Sequence, residues 1–131
     1  RGASLVIANR THDKAIAIAE KLAPIAKAAG GAITPAASPE ALDLSRADAV
    51  VNCTPIGMAG GPAPNESPLS DEVMATAGKG MVVFDTVYAP KPPETHTSLR
   101  QRAINLGLSE INGTAMFLKQ ATAQQAAWTQ T

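Results

Sequence analysis

The fold of this chain is decided by residues 4–15, SLVIANRTHDKA, in which an apolar strand ends in a polar turn and a helix follows. In dinucleotide-binding folds the end of the second strand lies beside the adenosine ribose, where an acidic residue selects NAD and an arginine accommodates the 2′-phosphate of NADP. The turn holds Arg10 and no acid, and Lys14 follows one helical turn later. A planar guanidinium and a mobile ammonium both suit phosphate oxygens. The stretch predicts an NADP site, the alternative being a solvated basic turn.

Apolar clusters alternate with helical periods along the rest of the chain, which predicts the α/β class with a mostly parallel sheet and helices on both faces. Residues 55–68, half of them Gly or Pro, predict an irregular loop after the carboxyl end of a strand, where ligands bind in such sheets. The predicted strands are 5–8, 32–34, 49–52, 81–85 and 110–111, and the predicted helices are 13–28, 39–44 (one or two turns), 71–77, 97–106 and 114–128.

The composition limits the possible partners. The 131 residues suit one domain, and 11 basic side chains cancel 11 acidic ones, so neither nucleic acid nor an anionic membrane is suggested. No apolar run approaches the roughly 18 residues that span a bilayer. Cys53, the single cysteine, is interpreted as a small core residue at an apolar strand, and its lack of a partner fits a reducing compartment. His12 and His96 are predicted to be exposed at helix starts, and no metal is implied.

Four segments, in this order, resemble the shikimate dehydrogenase family. They are the turn at residues 9–11, then VNCTPIGM at 51–58, then FDTVY at 84–88 with Pro90, then NGTAMFLKQA at 112–121, leading to Trp128 and Thr129. The chain looks most like the dehydrogenase half of the plant bifunctional enzyme that also carries dehydroquinate dehydratase. The resemblance implies an NADP-dependent, reversible reduction of 3-dehydroshikimate to shikimate in aromatic amino-acid biosynthesis.

The resemblance also implies roles for particular residues. Asn9, Arg10, Thr11 and Lys14 form the 2′-phosphate pocket. Further cofactor-binding residues are expected at strand ends and at the start of the last helix: Thr54, near the ribose or pyrophosphate, with Thr86, Gly113 and Met116. Tyr88 and Gln120 reach the substrate.

Elementary chemistry fits some of these roles. A glycine lets the backbone approach a ring closely, and the Gln120 amide offers both donors and an acceptor to a polyol carboxylate. Each residue also has a purely structural alternative: a capped strand end at Thr54, core packing at Tyr88 and Met116, or a surface amide at Gln120. Asp85 is expected to be structural.

The family's first strand, its Gly-rich phosphate turn and its catalytic Lys and Asp are expected upstream of residue 1. Residues 1–131 are therefore predicted to be the C-terminal part of an incomplete, doubly wound Rossmann-like domain that lacks its first strand. No catalytic residue is assigned within the chain, which is expected to be inactive alone. Without the central strand, the strands at Leu5 and Ala49 would have unpaired edges, so poor folding in isolation is expected.

Alternatives to this interpretation stay open. Glutamyl-tRNA reductases have a similar Asn-Arg-Thr turn, but the segments around Tyr88 and Gln120 do not resemble them. The parent protein could instead be a non-catalytic dinucleotide sensor, or an enzyme that also accepts quinate. The expected location is a reducing, soluble compartment: the chloroplast stroma if the plant-like resemblance holds, and otherwise the cytoplasm.

Overall fold

Strands and helices alternate through residues 2–87 and 96–129, which are the residues that the computed structural model describes. The chain forms two compact units, of which the first ends at Leu42 and the second begins at Asp43. All strand pairs in both units are parallel. The α/β class predicted from the apolar pattern is confirmed.

The first unit contains strand β1 (Ser4–Ile7), helix α1 (His12–Ala28) and strand β2 (Ala32–Pro35). The two strands pair in register, and α1 packs on them through the buried Ala15 and Ala19. The helix ends where the chain turns at Gly30, whose positive φ of 77° suits a residue without a side chain. A single 3-10 turn at Pro39–Ala41 follows, shorter than the predicted helix.

The second unit contains strand β3 (Ala49–Asn52), helix α2 (Asp71–Ala75), strand β4 (Val82–Asp85), helix α3 (Ser98–Asn105), strand β5 (Ser109–Asn112) and helix α4 (Gly113–Thr129). The sheet order is β3-β4-β5. In its register Asn52, Asp85 and Asn112 lie side by side as the last residues of their strands. The carboxyl ends therefore form one edge, from which the segments singled out in the sequence emerge.

Apolar packing and salt bridges formed by α3 hold the second unit together. Met74, Met81, Val83 and Leu99 have almost no exposed surface. Arg100 of α3 holds Glu110 of β5 in a two-pronged salt bridge, with 2.9 Å between Nη2 and Oε1. Hydrogen bonding and the charge of Arg100 lower the pKa of Glu110. Helix α3 is thus fixed against the sheet, and its amino end is fixed with it.

Two features of the surface bear on the sequence-based expectations. Within their own sheets β1 and β3 each have one strand partner among the described residues, as expected, and β1 leaves Leu5 51% and Val6 62% exposed. The interpretation of Cys53 as a core residue is wrong, because the residue lies one position beyond the end of β3 and is exposed. No helix in the described part of the chain has the length and apolar character needed to cross a membrane.

Candidate functional site

The turn after β1 is built by its own side chains. Asn9 Oδ1 accepts the main-chain N–H of Thr11 at 2.9 Å, a turn in which an asparagine side chain takes the place of backbone. The N–H of Lys14 donates to the carbonyl oxygen of Thr11 at 3.0 Å, which begins α1. These two hydrogen bonds explain the structural roles of Asn9 and Thr11 in the turn. They support the turn that presents Arg10.

The two cations of this turn are available to a ligand. Arg10 and Lys14 are exposed, and neither forms a salt bridge within residues 2–87 and 96–129. The amino end of α1 adds its partial positive charge to the same place. A phosphate group fits this set of donors, which offers a planar fork, a mobile ammonium and a helix N-terminus.

A contact of His12 reinforces the same end of α1. Its Nδ1 lies 2.9 Å from the carbonyl oxygen of Ala36, just after β2. A carbonyl oxygen can only accept, so Nδ1 donates. The exposed position of His12 at a helix start agrees with the sequence analysis, but this tie between α1 and the chain after β2 was not visible in the sequence.

In the second unit, the side chain of Asn52 organises the end of β3. Its Oδ1 accepts two hydrogen bonds from Thr54, one from the main-chain N–H at 2.9 Å and one from Oγ1 at 2.8 Å. Its Nδ2 donates to Asp85 Oδ1 at 2.9 Å and to the carbonyl oxygen of Ile56 at 3.3 Å. The position of Thr54 is therefore set by Asn52, a residue that the sequence analysis did not assign to the site.

Asp85 is the centre of this network and is fully buried. Besides Asn52, its carboxylate accepts the N–H of Val87 at 3.1 Å and the hydroxyl of Thr97 at 2.5 Å. The Thr97 hydroxyl oxygen also accepts the N–H of Arg100 at 3.3 Å and so caps α3. These contacts confirm a structural role for Asp85. They join the ends of β3 and β4 to the start of α3.

Thr86 and Gly113 meet at the neighbouring strand ends. Thr86 donates from Oγ1 to the carbonyl oxygen of Asn52 at 2.7 Å and from its N–H to the same oxygen at 3.1 Å. A Cβ atom on Gly113 would lie 2.1 Å from the carbonyl oxygen of Thr86. The sequence suggests that this glycine lets a ring approach, whereas the carbonyl group of Thr86 already leaves no room for a side chain at position 113.

Helix α4 carries the remaining described residues of the predicted site. Asn112 Oδ1 accepts the N–H of Ala115 at 2.9 Å and so starts the helix directly after β5. Helix α4 and strands β4 and β5 border an open depression of about 480 Å³. Its lining residues are mainly apolar: Phe84, Ile111, Ala115, Met116, Lys119, Gln120 and Ala123.

The depression brings together Met116 and Gln120, which the sequence analysis assigned to the cofactor and the substrate. Gln120 is exposed, so its amide is accessible. Lys119 is an additional lining residue that the sequence analysis did not assign. Tyr88 lies outside the described residues. Thr54, Thr86, Gly113 and Met116 all belong to the second unit, whereas Asn9, Arg10, Thr11 and Lys14 belong to the first.

Curated proteins with known names resemble the chain. A shikimate dehydrogenase (NADP⁺) from Symbiobacterium thermophilum is 35% identical over 127 residues, which cover 96% of this chain and 40% of the relative. The enzyme of the same name from Haloarcula marismortui is 33% identical over 133 residues, which cover 98% of this chain and 42% of that relative. The chain thus spans less than half the length of these relatives. No protein-family model matches the chain.

Solved structures agree in fold. A crystal structure of a shikimate dehydrogenase in complex with NADP⁺ superposes with a TM-score of 0.74 at 28% identity, covering 98% of this chain and 42% of that one. A chorismate mutase/shikimate 5-dehydrogenase fusion protein from Clostridium acetobutylicum, at 24% identity and a TM-score of 0.62, shares the fold. The chain thus has the Rossmann-like α/β fold of the matched part of the first protein.

Proposed function

Because this chain belongs to the shikimate dehydrogenase family, we propose that it is the C-terminal part of the NADP-binding domain of an enzyme that interconverts 3-dehydroshikimate and shikimate. Both the turn chemistry and the coverage of the relatives support this assignment. The observation that carries it is a pair of exposed cations directly after a parallel strand: Arg10 lies on the turn shaped by Asn9, and Lys14 lies in the first turn of α1. The catalytic Lys and Asp are expected in a substrate domain that precedes this part.

In the proposed enzyme the first unit binds the 2′-phosphate. Arg10 would hold the phosphate through its planar guanidinium, and Lys14 would add a point charge from the first turn of α1. Asn9 and Thr11 keep the turn in shape through their mutual hydrogen bond. NAD has a hydroxyl group in place of this phosphate, so the turn discriminates between the two cofactors.

The second unit lines the rest of the cofactor and part of the substrate site. The cofactor, when bound, supplies or accepts the hydride. Thr54, Thr86, Gly113 and Met116 would hold and orient it, beside the mainly apolar lining of the open depression next to Met116. Gln120 and Tyr88 bind the substrate. The reaction also needs a proton donor within about 3 Å of the carbonyl oxygen, a role left to the expected upstream Lys and Asp. Residues 1–131 alone are expected not to turn over.

The experiment that tests this function compares NADP and NAD binding to the full-length enzyme and its Arg10→Ala variant. Losing a charge-assisted contact of about 1.5–3 kcal/mol is expected to raise the dissociation constant for NADP roughly 10- to 150-fold and to leave that for NAD nearly unchanged. Arg46→Ala is the matched control, because Arg46 is equally exposed but precedes β3, away from the carboxyl ends of the strands. Equal losses for NADP and NAD would reduce Arg10 to a structural role.

Substrate choice requires a second measurement. Steady-state rates of the full-length enzyme with shikimate and with quinate compare the proposed activity with the quinate alternative. Absence of turnover with either substrate, despite normal NADP binding, would favour the non-catalytic sensor. The resemblance to the plant bifunctional enzyme, and with it the chloroplast stroma, stays a prediction that the upstream sequence tests.

A further inference from the structure

The hydroxyl group of Thr86 has a single proton to donate, and the structure shows which atom receives it. Thr86 Oγ1 lies 2.7 Å from the main-chain carbonyl oxygen of Asn52. A carbonyl oxygen can only accept a hydrogen bond, so the direction of this bond follows from the chemistry of the two groups. The Thr86 hydroxyl therefore has no proton left for a ligand. It keeps its two oxygen lone pairs as acceptors.

The hydroxyl group of Thr54 likewise has no proton left to donate to a ligand. The amide orientation of Asn52 is fixed, because its Oδ1 accepts the N–H of Thr54 while its Nδ2 faces the carboxylate of Asp85. Thr54 Oγ1, 2.8 Å from Asn52 Oδ1, must then be the donor. The same oxygen accepts the N–H of Ile56 at 3.2 Å. Thr54 therefore has one lone pair left, and Thr86 has two.

Acceptors of this kind cannot bind every part of a dinucleotide. The pyrophosphate bridge offers only acceptor oxygens, so neither hydroxyl can donate to it while these contacts persist. The adenosine half also has donors, its 6-amino group and its 3′-hydroxyl, but the proposed function assigns that half to the turn at Arg10. The remaining donors belong to the nicotinamide half, namely the carboxamide amino group and the ribose hydroxyls. Thr86 is half-buried at the end of β4, where it contacts Gly113, and its hydroxyl has more free acceptor capacity than that of Thr54.

We propose that the Thr86 hydroxyl accepts a hydrogen bond from a donor of the nicotinamide riboside, and that neither threonine hydroxyl binds the pyrophosphate. The proposal rests on the proposed NADP function and refines it. It narrows the role of Thr54, which the sequence analysis placed near the ribose or the pyrophosphate. Thr86 is then a residue that helps to set the orientation of the nicotinamide half of the cofactor.

The test measures dissociation constants for the full-length enzyme and its Thr86→Val and Thr86→Ser variants. The probes are NADP, its 3-acetylpyridine analogue, in which a methyl group replaces the carboxamide amino group, and an analogue without the nicotinamide ribose 2′-hydroxyl. Thr86→Val is expected to weaken NADP binding about 2- to 13-fold, the effect of one neutral hydrogen bond, and Thr86→Ser to restore it.

Comparison among the probes separates the loss of a hydrogen bond between Thr86 and the cofactor from a general disturbance of the site. Losing the bond from Thr86 to Asn52 affects all probes alike and cancels in the ratio of their affinities. If Thr86→Val spares the acetylpyridine analogue, the donor is the carboxamide. If it spares the deoxy analogue, the donor is the ribose hydroxyl. The same loss for NADP and both analogues would overturn the proposal.

Adenosine 2′,5′-bisphosphate, which lacks the nicotinamide half, is the remaining control. Its affinity is expected to be the same for all three proteins, and a loss equal to that of NADP would also overturn the proposal. The proposed function fails in a different way. In that case the unmodified enzyme binds neither NADP nor the bisphosphate, whatever residue occupies position 86.

Discussion

Replacing Gly113 by alanine is expected to destabilise the enzyme, although local helix propensity favours the opposite result. Gly113 is the first residue of α4 and is not among the glycines with positive φ. Alanine is a better helix former than glycine by about 1 kcal/mol, so the change would be neutral or stabilising if only the helix mattered. The added Cβ, however, would lie 2.1 Å from the carbonyl oxygen of Thr86, 2.6 Å from its carbonyl carbon and 2.9 Å from that of Val87.

The size of the effect follows from what prevents these atoms from moving. The Thr86 oxygen would have to retreat by about 1.3 Å to lengthen 2.1 Å to an ordinary 3.4 Å contact. Thr86 is held by two bonds to the carbonyl oxygen of Asn52, and Val87 by its N–H bond to Asp85. Overpacking costs typically 1–3 kcal/mol, and each hydrogen bond that breaks adds about 0.5–1.5 kcal/mol. We expect a loss of about 3 kcal/mol.

Urea unfolding of the full-length enzyme measures this loss, together with NADP titration, because a shift of α4 would also displace Met116. Gly107→Ala is the control. Gly107 has a φ of 69° and no heavy atom within 4 Å of an added Cβ, so it isolates backbone strain of about 1–2 kcal/mol. A Gly113→Ala variant as stable as the unmodified enzyme, or more stable, would refute the steric argument.

The remaining predictions concern an ion pair, the substrate contacts and the folding of the chain. Glu110→Gln is expected to cost about 1.5–3 kcal/mol at pH 7, and Glu66→Gln, an exposed control, close to nothing. Arg100 lowers the pKa of Glu110 in the folded state, so the stabilisation by this salt bridge is fully present above the unfolded-state pKa of about 4.3 and is lost as the pH falls through the folded-state pKa. A stability difference between the unmodified enzyme and Glu110→Gln that does not change with pH would contradict this. Gln120→Ala and Tyr88→Phe are each expected to lower kcat/KM for shikimate by an amount equivalent to about 1–3 kcal/mol, with the affinity for NADP unchanged. The control variant Gln124→Ala, one helical turn beyond Gln120, should leave kcat/KM unchanged. A parallel loss of NADP affinity would assign the substituted residue to the cofactor site. The isolated 131-residue chain is expected to unfold without one sharp thermal transition, because its first unit buries only Ala15 and Ala19 as hydrophobic residues in the described part; a single cooperative transition in calorimetry would show the reverse.

The sequence by itself determined the features that depend on neighbours along the chain. Apolar periodicity located every strand and helix described, with boundaries shifted by a few residues, because burial of one face imposes a period on the local sequence. Arg10 and Lys14 are four residues apart, at the turn and in the first helical turn after it, and could be assigned together for the same reason. The ordered motifs also pointed to the family that the relatives support.

Only the tertiary structure decided which distant residues touch. Asn52 and Asp85 are 33 residues apart in sequence, and the parallel register of β3 and β4 makes them neighbours at the ends of their strands. The contact with Asp85 orients the Asn52 side chain, which positions Thr54. The same register places the main-chain carbonyl oxygen of Asn52 where it accepts the hydroxyl proton of Thr86. The close approach of Gly113 to Thr86 depends likewise on the pairing of β4 with β5. Local sequence cannot specify such contacts, because strand register is fixed by the packing of whole sheet faces and not by the residues that happen to meet at their edge.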